Sequence, residues 1–259
     1  MNLLVTLCAR AGSKGVKSKN SRLFLGYPLV YYTLSAYGGF VKKYGKEYNQ
    51  IDLALNTDSK ELLEQCQRTK IKFTHIAREE NLGGDKVAKA DVIADTLLKM
   101  EEKKKVQYDV VIDLDLTSPL RTVEDINGCL QSLLHSEGAN VAYSVTHSRR
   151  QPHFNMVMKN SEGYMERIIK GKFLTRQDAP ECFDMNASIY AYRRIPLLNN
   201  SQNNIFDGRA VAWVMKDTAV LDIDSEEDFE LLQILAEYFF RSYECYGLIR
   251  DNIVGLTEK

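Results

Sequence analysis

Strand-like and helix-like segments alternate regularly along the first 146 residues of the chain. Apolar runs typical of buried strands lie at 2–8, 51–57, 71–76, 108–117 and 139–146. Segments with helical spacing lie between them, at 28–44, 58–70, 88–105 and 122–136, and Asp58 or Ser59 is placed to cap the second. This alternation is typical of βαβ units. We therefore predict an α/β fold with a mostly parallel central sheet flanked by helices.

The pattern changes after residue 146. Residues 147–185 contain irregular polar sequence and one short strand-like piece, which predicts a projecting arm that contacts a second copy of the chain. Strands are predicted again at 186–194 and 210–215, and a capping box at Ser225–Asp228 opens a helix to about Tyr246. No repeat or linker divides the chain. We expect a single domain, 1–259, with an inserted dimerisation arm at about 147–185.

Composition excludes several classes of protein. The 34 basic and 35 acidic side chains give a net charge of −1, so non-specific binding to nucleic acid or anionic membrane is not expected. Five widely spaced cysteines without a CxxC pair favour a reduced compartment, and neither they nor the four histidines show zinc-ligand spacing. No apolar run is long enough for a membrane span or a signal peptide, so we expect a cytoplasmic protein.

The loop after the first strand is strongly basic. Its sequence, CARAGSKGVKSKN (8–20), carries four cations among glycine and serine. Glycines let backbone N–H groups approach a polyphosphate closely, and cations neutralise its charge. Ligands of open α/β sheets bind beyond the carboxyl ends of the strands, where this loop and 117–121 would lie. The P-loop and GxGxxG spacings are both absent. The loop therefore predicts a polyphosphate site of another type, with a solvated surface loop as the alternative.

Five sequence blocks together resemble a known family. The run ARAGSKGVKSKN…LGYPLVYYTL is followed in order by AREENLGGD (77–85), LTSPLR (116–121), TRQDAPECFDMNASIYAY (175–192) and LDIDSEEDF (221–229). They resemble the acylneuraminate cytidylyltransferases, which make CMP-sialic acid and its relatives. The resemblance spans nearly the whole chain. It implies a fold of the nucleotide-diphospho-sugar transferase type, a homodimer, and CTP-dependent activation of a nonulosonic acid to its CMP-sugar with release of pyrophosphate.

The resemblance also implies a nucleotide site. Lys14 would stabilise charge on the α-phosphate and the leaving pyrophosphate, Asn20 would contact the nucleotide sugar, and Arg78 the cytosine. Lys89, where the family often has serine, would lie near the nucleotide or begin a helix that faces solvent. The residues implied to bind CTP are Arg10, Ser13, Lys14, Lys19, Asn20, Arg78 and Lys89, and those implied in catalysis are Arg10, Lys14, Asp115 and Asp222.

The strand VIDLDLT also fits a second chemistry. DxDxT is the first motif of haloacid-dehalogenase-type phosphatases, in which Asp113 would be the nucleophile and Asp115 a general acid/base beside Mg²⁺. That motif normally begins its domain, whereas three βα units precede it here. In the transferase interpretation, Asp115 replaces an amide near the sugar, which adds an acceptor or base and removes donors. We expect it to orient or deprotonate the attacking hydroxyl.

The last two blocks imply a metal site and a sugar site. Asp222 and Asp224 lie two residues apart, as oxygen ligands for Mg²⁺ would, although Asp224 could instead favour the N-terminus of the next helix. Arg176 would bind the sugar carboxylate, and Asn186 and Tyr190 its hydroxyl or N-acyl groups.

Two departures from the family pattern bear on the sugar. Asn186-Ala187-Ser188 stands where the family commonly has Asn-Gly-Ala. With Asp115 and 149–155, this favours a legionaminic-acid-type sugar over N-acetylneuraminic acid. A catalytically silent nucleotide-binding subunit is a further alternative, disfavoured by the presence of Lys14, Asp222 and Asp224.

Overall fold

The computed structural model describes residues 1–12, 16, 18–84, 87–172, 175–199, 206, 209–216 and 223–257, with only the backbone for Arg176. The strands in this part of the chain are β1 (Asn2–Cys8), β2 (Leu23–Phe24), β3 (Tyr27–Pro28), β4 (Gln50–Thr57), β5 (Thr74–Ala77), β6 (Val110–Leu114), β7 (Val141–His147), β8 (Val157–Lys159), β9 (Met165–Arg167), β10 (Phe183–Arg193) and β11 (Ala210–Val214). The helices are α1 (Leu29–Tyr44), α2 (Lys60–Gln67), α3 (Lys89–Lys104), α4 (Val123–Leu134), α5 (Arg194–Leu198), α6 (Glu226–Ser242) and α7 (Glu244–Val254). None of them is long and apolar enough to cross a membrane.

Seven strands form the central sheet, in the order β11-β7-β10-β6-β1-β4-β5. Neighbouring strands are parallel except at β10, which runs antiparallel to both β6 and β7. The predicted mostly parallel sheet flanked by helices is therefore confirmed. The carboxyl ends of β1, β4, β5 and β6 lie at one edge of the sheet, so the loops that follow these strands converge there.

The first strand shows why the sheet is buried on both faces. Leu3, Val5 and Leu7 pack into one apolar layer, while Leu4 packs into the layer on the opposite face. Successive side chains of a strand point to opposite faces, so an uninterrupted apolar run fits a central strand covered by helices on both sides.

Local capping signals set the start of several helices. The Ser59 side chain accepts a hydrogen bond from the backbone N–H of Leu62 and so caps α2. Ser225 and Asp228 form the predicted capping box at α6, which is confirmed. The predicted single C-terminal helix is wrong. The backbone is extended at Tyr243, and α7 then packs against α1, where the Ser35 hydroxyl donates to the carbonyl of Ile249.

Residues between β7 and β10 form a separate small element. β8 and β9 pair antiparallel in a two-stranded sheet of their own. Several apolar side chains on and beside this hairpin are exposed, and Tyr164 and Met165 are 71% and 68% exposed. A contiguous exposed apolar surface is typical of an interaction site.

Candidate active site

The basic loop after β1 is attached to the loops after β4 and β5. The backbone N–H of Ala11 donates to Asp58 Oδ1 at 2.6 Å, and Arg10 Nη1 donates to the carbonyl of Gly83 at 3.2 Å. Asn20 Nδ2 donates back to the carbonyl of Arg10 at 3.1 Å. Asp58 was predicted as an alternative cap for α2, but Ser59 caps that helix, and Asp58 holds the basic loop instead.

Arg78 is held against the end of β4. Its Nε donates to Asn56 Oδ1 at 2.9 Å, and Asn56 is fully buried and donates to Thr96 Oγ1 at 2.8 Å. Arg78 also lines an open cavity of about 490 Å³ together with Asp58 and Gly83. This volume lies within the usual range for small-molecule sites. Sequence reasoning missed Asn56, whose only signal is a polar residue near the end of an apolar strand.

Lys19 brings the basic loop to the segment that precedes α6. Its ammonium donates to the carbonyl of Ile223 and lies 3.3 Å from Asp224 Oδ1. Lys19 is mostly buried, whereas the Asp224 side chain is 81% exposed. Of the other predicted residues in this region, Ser13, Lys14 and Asp222 lie outside the described residues. The residues that the structure describes contain no cluster of three or more His, Cys, Asp or Glu side chains that could hold a metal ion.

A three-group charged cluster lies at the end of β6. Lys89 Nζ is 2.7 Å from Asp113 Oδ2 and 2.6 Å from Asp115 Oδ2. Asp113 is fully buried, and its other oxygen accepts from Thr6 Oγ1 at 2.8 Å. Asp115 Oδ1 accepts from both the backbone N–H and the hydroxyl of Thr117, at 2.9 and 2.7 Å.

These contacts decide the charge of the cluster. Burial raises the pKa of Asp115, but Lys89 and the two hydrogen-bond donors of Thr117 lower it by more than burial raises it. The pKa of Asp115 therefore lies below its usual range. Burial lowers the pKa of Lys89, but Asp113 and Asp115 raise it more, to well above its usual value. Asp115 is therefore an ionised carboxylate and a weak base, and Lys89 is a cation.

Arg121 fixes the backbone around this cluster. Its side chain is fully buried and donates to the carbonyls of Asp115 and Ser188, at 2.6 and 2.8 Å, and to Ser188 Oγ at 3.0 Å. Burial lowers the pKa of Arg121 to about 10, against the opposing influence of Asp115 and Asp113. Sequence reasoning assigned Arg121 no role, although a cation ending the LTSPLR block was the available signal.

A bulge in β10 faces Arg121. The pairing register with β7 shifts between Met185 and Tyr190, and Ala187 adopts a left-handed φ of 51°. The family's glycine at this position fits that conformation, which glycine adopts without strain.

The predicted sugar ligands occupy different places around the bulge. Asn186 is buried, with Oδ1 accepting from Ser144 Oγ at 2.6 Å and Nδ2 contacting Met215 Sδ at 3.4 Å. Tyr190 pairs with Asp113 in the sheet, and Lys89 Nζ lies 5.7 Å from the centre of its ring. Arg176 begins a short 3-10 helix, Arg176–Asp178, and its side chain lies outside the described residues.

Comparison with known proteins agrees with this geometry. The model of the cytidylyltransferase family matches residues 4–241. Post-translational flagellin modification protein B of Campylobacter coli is 35% identical over 90% of this chain and 94% of its own length. The CMP-N,N'-diacetyllegionaminic acid synthase of Campylobacter jejuni is 36% identical over the same shares. An N-acylneuraminate cytidylyltransferase of Streptococcus agalactiae is 26% identical over 93% of this chain and 54% of that protein.

Solved structures show the same fold. CMP:2-keto-3-deoxy-manno-octonic acid synthetase in complex with CTP has a TM-score of 0.61 and 17% identity to this chain. The match covers 92% of this chain and 99% of the synthetase chain. 4-Diphosphocytidyl-2C-methyl-D-erythritol synthase of Anaerococcus prevotii has a TM-score of 0.55 and 12% identity, over 91% and 98%.

The chain therefore belongs to the cytidylyltransferase family, whose members are CTP-dependent nucleotidyltransferases. The phosphatase alternative finds no support. Asp113, its required nucleophile, is fully buried, and its two oxygens contact Thr6 and Lys89.

Proposed function

We propose that this enzyme transfers CMP from CTP to a nonulosonic acid, a sialic-acid-like sugar of the legionaminic type, and releases pyrophosphate. The observation that carries the proposal is the attachment of the basic loop to Asp58 and Gly83 on one side and to Asp224 on the other. This arrangement brings cations and a carboxylate together at the carboxyl edge of the sheet. There the cations would bind the phosphates of a nucleoside triphosphate, and the carboxylate would bind its Mg²⁺ ion. The name of the relative at 36% identity, a CMP-N,N'-diacetyllegionaminic acid synthase, supports the sugar class.

The nucleotide would be held by the loops after β1 and β5. Arg10, Ser13, Lys14 and Lys19 would bind the triphosphate, because cations and backbone N–H groups neutralise and orient phosphate oxygens. Asn20 would bind the ribose. Arg78, fixed by Asn56 beside the open cavity, would read the cytosine.

A magnesium ion fits the acidic residues before α6. The exposed carboxylate of Asp224 offers hard oxygen ligands, and Asp222 would supply a second carboxylate. Bound there, Mg²⁺ would neutralise charge on the triphosphate and on the departing pyrophosphate.

The reaction is an in-line displacement at the α-phosphorus of CTP. The oxygen of the sugar's anomeric hydroxyl forms a bond to the α-phosphorus, and the hydroxyl proton passes to solvent water. The bond from the α-phosphorus to the bridging oxygen breaks, and pyrophosphate leaves. Lys14 would stabilise the charge that develops. Asp115 would orient the hydroxyl by accepting its hydrogen bond, since its lowered pKa makes it a poor proton acceptor. Positioning and electrostatics then supply most of the rate enhancement.

The sugar would lie on the β10 side of the cleft. The planar guanidinium of Arg176 would bind the sugar carboxylate as a bidentate donor, and Tyr190 would contact the sugar ring. We assign Asn186 an indirect role, because its amide is buried against Ser144 and Met215 and shapes the bulge beside Tyr190.

We further propose that two copies of this single-domain chain (1–259) pair through the arm at 147–185. The exposed apolar side chains of the β8–β9 hairpin, such as Val157, Tyr164 and Met165, would be covered in the dimer. The use of CTP and the five free cysteines fit a reaction in the cytoplasm.

Pyrophosphate release tests the proposal. Purified protein with CTP and Mg²⁺ is assayed against legionaminic, N-acetylneuraminic, pseudaminic and 3-deoxy-octulosonic acids, with a no-sugar control. We expect release with the legionaminic-type sugar, and a fall of about 10²- to 10³-fold in kcat for Lys14→Ala. Lys46→Ala, at an exposed position in the short 3-10 helix Gly45–Glu47 that follows α1, is the matched control and should keep full activity. Absence of release with every sugar would refute the proposed function.

A further inference from the structure

The cluster at the end of β6 assigns Lys89 a role that its sequence did not indicate. We propose that Lys89 is a positioning residue: by bridging Asp113 and Asp115 it keeps Asp115 as a fixed acceptor for the sugar, and it does not bind the nucleotide. The catalytic part of this inference rests on the proposed function. The observation that supports the positioning role is the pair of short contacts, 2.7 and 2.6 Å, from the Lys89 ammonium to the carboxylates of Asp113 and Asp115.

The hydrogen-bond geometry fixes each member of the cluster. Lys89 donates a hydrogen bond to Asp115 Oδ2 at 2.6 Å, and its ammonium forms an ion pair with the buried Asp113 Oδ2 at 2.7 Å. Asp113 cannot turn away, because it is fully buried and its other oxygen accepts from Thr6. Asp115 is held from both ends, by Lys89 at one oxygen and by Thr117 at the other. Its carboxylate therefore has one defined orientation.

The place of the cluster in the sheet links it to the sugar. The residues that support the nucleotide, Arg10, Asp58 and Arg78, follow β1, β4 and β5, on one side of β6. On the other side, β6 pairs with β10, where Tyr190 lies opposite Asp113. Asp115 thus lies between the two halves of the cleft, where an attacking sugar hydroxyl would meet the nucleotide.

The charge of the cluster explains why a lysine is needed. Two carboxylates side by side oppose each other's ionisation, and burial opposes it further. The titratable or charged groups that surround the cluster of Lys89, Asp113 and Asp115 among the described residues are Arg121 from the segment before α4, Tyr190 and Tyr192 from β10, Cys8 from β1 and, through Cys8, Arg78 after β5. Arg121 donates to the backbone carbonyl of Asp115, so the described cation in contact with the carboxylate is Lys89.

The test replaces Lys89 and follows the ionisation of Asp115 directly. The ¹³C signal of the Asp115 carboxyl group, assigned by its loss in Asp115→Asn, is titrated from pH 4 to 8. The variants are Lys89→Met and Lys89→Arg. The double variant Asp113→Asn/Lys89→Met removes the buried charge that Lys89→Met alone leaves unpaired, so the test does not depend on the folding of the single variant.

Lys99→Met is the matched control. Lys99 lies on the same helix and also bridges two carboxylates, Glu79 at 2.7 Å and Asp95 at 2.8 Å. Its partner Glu79 is 54% exposed, whereas Asp113, the partner of Lys89, is fully buried.

We expect Asp115 to stay ionised across this range in the wild type, in Lys89→Arg and in Lys99→Met. In Lys89→Met and in the double variant, the carboxyl signal should instead titrate within the measured range, because burial then opposes ionisation without the nearby cation. A signal that stays ionised down to pH 4 in these variants would overturn the inference.

Kinetics provide the second readout. In the Met variants at position 89 we expect kcat to fall about 10- to 100-fold at pH 6 and to recover partly at pH 8.5, with the KM for CTP within threefold of wild type. Lys89→Arg should restore the wild-type pH profile. A tenfold rise in the KM for CTP with kcat unchanged would make Lys89 a nucleotide ligand and overturn the inference.

The two proposals can fail separately. If the wild type releases no pyrophosphate with any sugar, the proposed function fails, and the ¹³C titration still decides whether Lys89 holds Asp115 ionised.

Discussion

Ala187 is the position at which this chain stores backbone strain beside its candidate sugar site. Its φ of 51° lies in the left-handed region, within the bulge of β10. A residue with a Cβ loses about 1 to 2 kcal/mol in this conformation. Glycine avoids that cost but loses about 0.5 to 1 kcal/mol more chain entropy on folding. The difference predicts that Ala187→Gly raises the free energy of unfolding by about 0.5 to 1 kcal/mol.

A matched variant on the same strand should have the opposite sign. Ala191 is fully buried and pairs in regular register with Ile112 and Ala142. Ala191→Gly gains no strain relief, loses a buried methyl group and adds chain entropy, so we expect a loss of about 1 to 2 kcal/mol. Urea unfolding at one protein concentration, followed by the fluorescence of the single tryptophan, Trp213, measures both. Destabilisation by both variants would refute the strain argument.

Two further predictions concern packing and pH. A Cβ at Gly128 would lie 2.4 to 2.5 Å from the ring of Trp213, so Gly128→Ala should displace this ring and break its hydrogen bond to Asp125. We expect the variant to lose about 1 to 3 kcal/mol of unfolding free energy. Gly138 has open space around it, so the control variant Gly138→Ala should leave the urea midpoint nearly unchanged. Arg194 binds both oxygens of Glu101, at 2.8 and 2.9 Å, and its hydrogen bonds hold the Glu101 pKa below its usual value, against an opposing effect of burial. A depressed carboxyl pKa contributes stability above the unfolded-state value, and this is lost as the pH falls through the folded-state value. Arg194→Gln should therefore lower stability by about 1.5 to 3 kcal/mol at pH 7 and by less near pH 4, as measured by urea unfolding at each pH. An equal loss at both pH values would contradict this assignment, and Lys43→Gln, which removes an exposed ion pair with Glu124, is its control.

Local signals made much of the fold predictable. The βα alternation identified β1, β4, β6 and β7, and the Ser225–Asp228 box marked the start of α6, because each depends on a few consecutive residues. The break at Tyr243 was not predictable, since no glycine or proline marks it. There the ring of Tyr243 stacks on Phe239, 4.9 Å away, and α7 turns back onto α1.

The candidate site was predictable in its residue types but less so in its contacts. The family resemblance identified Lys19 and Asp224, 205 residues apart, which the structure brings within 3.3 Å. The bridge from Lys89 to Asp113 and Asp115 was not predictable, because it depends on how the start of α3 docks on the end of β6. A lysine at the start of a helix gives no sign, in sequence, of which carboxylates it will meet.

The antiparallel strand β10 has a consequence for biosynthesis. β6 and β7 are never neighbours in the finished sheet, because β10 lies between them. While the ribosome is still adding residues before Phe183, both strands present an open hydrogen-bonding edge at the centre of the sheet. Such edges invite pairing with other chains, and the long sequence separation from Asp113 to its partner Tyr190 slows their closure. We therefore expect faster insertion of β10 to increase the share of newly made protein that escapes aggregation.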